Sequence, residues 1–63
     1  MHTTPTSTRI AFEEGKIVAQ MIGLSGKAET PDYYTGDTAS AFMRGLGCER
    51  RRMERRLARA KLA

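Results

Sequence analysis

Apolar residues recur at helical spacing in two stretches, and a polar, glycine- and proline-punctuated segment separates them. In "RIAFEEGKIVAQMIG", Ala11, Val18, Met21 and Ile22 make one apolar stripe, which predicts a first helix over about 9–22. Gly23 is placed to end it in a left-handed cap. Beside that stripe Gly15, Ala19 and Gly23 stand four apart and form a ridge without side-chain bulk. A glycine inside a helix costs about 1 kcal/mol. Either another backbone lies close to Gly15, or the glycine is tolerated on a solvent face. Residues 1–8 are polar and read as a flexible leader, with Ser7 or Thr8 as candidate helix caps.

Residues 23–37 read as a long linker, punctuated by Gly26, Pro31 and Gly36 and carrying Tyr33 and Tyr34. The pattern turns helical again over about 38–61, with Asp37 as its expected cap. There Met43, Leu46, Met53, Leu57 and Ala60 follow a 3-4 spacing interrupted at Arg50, a thin seam of coiled-coil type. Gly45 and Gly47 predict a bend or a split in that helix. The expected fold is all-α: a single small domain (9–63) built as a two-helix hairpin with a long wrapped linker. Val18, Met21, Ile22, Phe42 and Leu46 are the expected core. Met43, Leu46, Met53 and Leu57 are the expected seam toward that core or a partner.

Charge changes this picture. The chain carries +4, and the excess is concentrated at one end. From Cys48 onward, Arg50, Arg51, Arg52, Arg55, Arg56, Arg59 and Lys61 face only Glu49 and Glu54, a surplus of +5. Residues 1–47 carry −1. A merely solvated helix face mixes signs, and arginine favours bidentate phosphate contacts. The segment therefore points to an anionic partner: nucleic acid or an acidic protein face. One tyrosine of the Tyr33–Tyr34 pair is expected to close over the helices, and the other to stack on a base.

Catalytic chemistry finds little support. "GLSGKAET" resembles a phosphate loop, but Met21 stands where the motif needs its first glycine and Ala28 where it needs Ser or Thr. One cysteine and one histidine, Cys48 and His2, exclude an internal disulfide and a Cys/His metal cluster. No cofactor, metal or catalytic residue is expected. The lone cysteine, the absence of a signal-type leader and the lack of any long apolar run lead to an expectation of a cytoplasmic protein with no membrane contact. A helix-turn-helix needs a turn of three or four residues, and the linker here is far longer.

Three runs, "AFEEGKIVAQMIG", "PDYY" and "AFMRGL", resemble the ribosome modulation factor family (the Rmf/CrpP group) over residues 10–50. Ala11 and Gly15 match its first pair, and Ala19 and Gly23 its small residues. Pro31 and Tyr33 match its Pro-Tyr element across Asp32. Phe42, Gly45 and Leu46 match its second-helix set. The resemblance implies two helices joined by a wrapped linker. It also implies binding to ribosomal RNA near the message-docking region, with translation down-regulated during slow growth. A drug-modifying activity is proposed for some relatives, and no motif here supports an enzyme. The alternative is a phage- or plasmid-borne helical inhibitor or adaptor that docks on an acidic host protein, with a homodimer as a further option.

Overall fold

The computed structural model describes residues 5–62. Residues 1–4 of the expected leader, with His2, and Ala63 lie outside the described residues. Two helices make up the secondary structure of the described part: α1 (Pro5–Ile22) and α2 (Asp37–Leu62), packed against each other with a linker between them. Among the described residues there is no strand.

α1 begins four residues earlier than its apolar periodicity indicates. Its first residue is a proline, which lacks the amide hydrogen that a helix start leaves without an intrahelical partner. Ser7 and Thr8 consequently lie inside the helix and not at the cap position ahead of it. At the other end Gly23 adopts φ of 74° and its amide donates to the Ala19 carbonyl at 2.9 Å. That is the left-handed cap expected there.

The contact between the helices is made by small residues. On α1, Ala11, Gly15 and Ala19 are buried at intervals of four. On α2, Ala41, Gly45 and Glu49 are buried at the same interval, with Phe42 and Leu46 beside them. A methyl group built on Gly15 would lie 2.9 Å from the Leu46 amide nitrogen and 3.0 Å from the Phe42 carbonyl carbon. One built on Gly45 would lie 2.8 Å from the Phe12 carbonyl carbon. Real side chains do not tolerate such distances from backbone, so each glycine makes room for the other helix's main chain. Around this contact Phe12, Val18, Ile22, Ala28, Tyr34 and Met53 close a small core on Phe42 and Leu46. Full burial of a side chain such as Phe42 contributes about 1.5–3 kcal/mol.

This packing explains three departures from the expected pattern. α2 runs unbroken through Gly45 and Gly47 as 26 residues. The split considered there does not occur, because Gly45 serves the close approach and the packing outweighs its low propensity. Met21, expected in the core, is 78% exposed. It sits two residues past Ala19, on the far side of α1 from the Ala11–Gly15–Ala19 row. Met43 and Leu57 are also exposed: Met43 stands two residues before Gly45, on the far side of α2 from the α1 contact, and Leu57 lies on the stretch of α2 where every residue is exposed. The expected seam is therefore divided: Leu46 and Met53 face α1, and Met43 and Leu57 face solvent. Asp37 is the first residue of α2 and not its cap. The Gly36 carbonyl accepts the first amide of the turn, from Ser40, at 3.1 Å.

The length of the linker follows from the direction of pairing. Gly15 meets Phe42 and Leu46, Gln20 bonds to Glu49, and Gly23 bonds to Arg50. Residue numbers rise together along the contact, so the helices advance in the same general sense. A turn of a few residues sets neighbouring helices antiparallel. Here residues 23–36 must instead carry the chain back alongside α1. Tyr33 and Tyr34 mark the return, since both donate hydrogen bonds to Glu14, eight residues before the end of α1.

Candidate nucleic-acid interface

α2 outruns its partner. Arg50 still touches the linker, and Met53 still packs on the core. From Glu54 to Leu62 every residue is exposed. This arm is built of strong helix formers, Arg, Glu, Leu, Ala and Lys. The last turn of α2 carries Arg59 and Lys61, and its first turn holds Asp37, both favourable to the helix dipole. The molecule is accordingly elongated, 49 × 21 × 13 Å.

The cations divide by role. Arg50 is partly buried and faces inward. Its Nε donates to the Gly23 carbonyl at 3.2 Å and its Nη2 to the Gly26 carbonyl. α1 has no basic residue in its last turn, so Arg50 supplies from α2 the positive charge that a helix C-terminus favours. Replacing Arg50 with Met keeps the stem and removes the head. A charged hydrogen-bond donor is worth about 1.5–3 kcal/mol, so Arg50→Met is expected to lower stability by roughly that amount in urea unfolding. Unchanged stability would contradict the clamp.

Arg51, Arg52, Arg55, Arg56, Arg59 and Lys61 are exposed. Arg52, Arg55, Arg56 and Arg59 line one open cleft. A residue with no place among the expected site residues lies beneath it: Glu49, 2% exposed. Gln20 donates its side-chain amide to Glu49 Oε2 at 3.1 Å. Arg52 Nη1 lies 3.8 Å from Oε1, and Arg56 Nη2 lies 3.8 Å from Oε2. The spacing Ala41, Gly45, Glu49, which repeats the small-residue interval of α1, was the sequence signal for its inward position.

The two tyrosines are not gathered with the arginines. Their rings meet edge-on at 4.6 Å, and Tyr34 tilts against Phe42 at 5.9 Å. Phe42 stands thirteen residues before Arg55, about 20 Å along the helix. Tyr34 is the lid. Tyr33 is 70% exposed, but its hydroxyl is bound to Glu14 at 2.5 Å, beside a negative charge.

That bond raises the Tyr33 phenol from its ordinary 10.0 to about 12, and burial, with help from Glu14, raises Tyr34. The folded state holds these protons more tightly than the unfolded chain. The tyrosine–Glu14 lock is thus fully present below pH 10 and is lost as pH climbs through about 12. Phenolate absorbance of the folded protein is expected to rise at higher pH than that of the urea-unfolded chain. Glu14→Gln should narrow the gap. Coincident titration curves would rule the lock out.

An apolar row also faces solvent: Ile10, Ile17 and Met21 on α1. Ile10 and Ile17 border a shallow groove with Glu13 and Glu14. No helix among the described residues is long and apolar enough to cross a membrane. Comparison with known proteins adds no assignment: no family model, no curated protein and no solved structure matches this chain.

Proposed function

We propose that the protein is a small RNA-binding regulator of ribosome-modulation type, which docks on ribosomal RNA through the basic arm of α2 and down-regulates translation. The observation that carries this is the free helical arm itself. Arg55, Arg56, Arg59 and Lys61 stand past Met53, where every described residue is exposed, Arg51 and Arg52 stand exposed at the root of this arm, and only Glu54 opposes them on the surface. A helix left exposed all round, rich in arginine, suits phosphate contacts better than it suits folding. The resemblance of "AFEEGKIVAQMIG", "PDYY" and "AFMRGL" to the ribosome modulation factor family selects ribosomal RNA among polyanions. The fold carries the arm on a compact base, and Arg50 belongs to that base.

Fluorescence anisotropy with a ribosomal RNA fragment across a salt series tests this directly. Each phosphate neutralised on a single strand contributes about −0.7 to the slope of log K against log salt. Four to six contacts give a slope of roughly −3 to −4. A flat salt dependence would refute the proposal.

A second proposal rests on the row Ile10, Ile17 and Met21. Exposed apolar residues in register on one helix suit a protein partner, as in a phage- or plasmid-borne helical adaptor that docks on a host protein or pairs with itself. A mass that rises with concentration in light scattering, with no affinity for RNA, would favour it.

A further inference from the structure

The cations of the arm do not form an even sheath. Arg52, Arg55, Arg56 and Arg59 follow the i, i+3, i+4, i+7 spacing of a single helix face, and together they line one open cleft. Arg51 falls on another side, where it shares a depression with Glu54, Arg55 and Ala58, and so with an opposing charge. The four-arginine stripe is fastened from below. Glu49 is buried, and its Oε1 accepts no hydrogen bond from the described residues. A carboxylate out of water demands a compensating charge, and the guanidiniums of Arg52 and Arg56 at 3.8 Å supply it. Yet their side chains remain 52% and 67% exposed. One nitrogen of each head is held toward Glu49, and more than half of each side chain stays open to solvent.

We propose that Arg52, Arg55, Arg56 and Arg59 form one discrete phosphate-binding face that takes neighbouring phosphates of an RNA strand, with Glu49 as the positioning residue beneath it. This rests on the RNA-binding function proposed above and specifies where on the arm the strand lies. The stripe spans about 10 Å of helix, enough for neighbouring phosphates of one strand. Holding two flexible side chains in place beforehand removes part of the ordering that binding otherwise requires. Planar guanidinium forks then meet phosphate oxygens in pairs. Glu49 is itself an anion close to the cleft, so its charge opposes the ligand while its position assists it. That opposition gives the test its sign.

The full chain is titrated with inorganic tripolyphosphate, and the Nε–H resonance of each arginine is followed by NMR, with ribosomal RNA binding measured in parallel. Arg52, Arg55, Arg56 and Arg59 are expected to shift together, with Arg51 nearly still. Equal shifts in all five would overturn the discrete face. Tripolyphosphate on the stripe with no affinity for ribosomal RNA would retain the anion face and remove the RNA function. Charge-matched variants separate the face from the general field. Arg55→Gln with Arg59→Gln should weaken RNA binding about tenfold, and Arg51→Gln with Lys61→Gln by no more than about twofold. Equal losses would again overturn the face. Glu49→Gln removes one negative charge. General attraction would tighten binding, whereas loss of positioning weakens it severalfold with helicity preserved by circular dichroism. Tighter binding would overturn the role of Glu49. Should that variant lose its helical signal, Gln20→Met frees the carboxylate without changing net charge. A severalfold loss then supports the positioning role, and unchanged affinity overturns it.

Discussion

Gly45→Ala is expected to unfold the protein. The added methyl would lie 2.8 Å from the Phe12 carbonyl carbon and 3.1 Å from its Cα. Both are main-chain atoms of α1 and have no rotamer with which to yield. The helices would have to separate, and the contacts of Ala11, Ala19, Phe42 and Leu46 would loosen with them. Overpacking a core costs typically 1–3 kcal/mol, and more where backbone is the obstacle. A chain below about 70–80 residues rarely holds more than 3–5 kcal/mol in total. Gly15→Ala, which meets Phe42 and Leu46 backbone, should behave in the same way. Gly47→Ala is the control. Its methyl would find only the Arg51 side chain, at 3.8 Å. With helix propensity alone at stake, it should stabilise by about 0.5–1 kcal/mol. Thermal unfolding followed by circular dichroism checks all three. A folded Gly45→Ala protein with wild-type stability would contradict the close helix contact.

Neutralising the outer arm should leave the fold alone and remove its partner. In a variant carrying Arg55→Gln, Arg56→Gln and Arg59→Gln, helix-forming residues replace helix-forming residues. All three positions are exposed, and the core ends at Met53. The helical signal should therefore persist. Affinity for ribosomal RNA should fall by roughly a hundredfold at low salt, and the salt slope should become shallower by about 2, as loss of three phosphate contacts requires. Glu49 would keep Arg52, and Arg51 and Lys61 would remain as a weaker field. An affinity unchanged by the three substitutions would place the RNA contact elsewhere.

Much of this architecture is legible in the chain, and what is not has physical causes. The two helices show in apolar periodicity, the left-handed cap in Gly23, and the need for close approach in Gly15. The complementary row on α2 is harder to see. Ala41 looks like an ordinary helix former and Gly45 like a weak point until a second helix is placed against them. Glu49 completes that row, but a glutamate among arginines looks solvated in sequence, and the interval of four that places it inward counts only once Ala41 and Gly45 are known to face α1. Arg50 is hidden for a similar reason: its partners, the carbonyls of Gly23 and Gly26, lie more than twenty residues away. Met21 misleads in the opposite direction. Its hydrophobicity suits a core, yet its angle on α1 is set by which face bears the small residues. The direction of helix pairing is likewise tertiary, since a long linker permits either sense. The separation of Tyr33 and Tyr34 from the arginines follows from that direction, because the returning linker lands at Glu14.

The central functional claim is that the arm of α2 holds this protein on ribosomal RNA by charge. Co-sedimentation with purified ribosomes tests it most directly, using the intact chain and the Arg55/Arg56/Arg59→Gln variant at low and moderate salt. The intact chain should pellet at low salt and be released as salt rises, while the variant stays in the supernatant throughout. If the two proteins sediment alike, or if neither pellets, ribosome binding through the arm is contradicted.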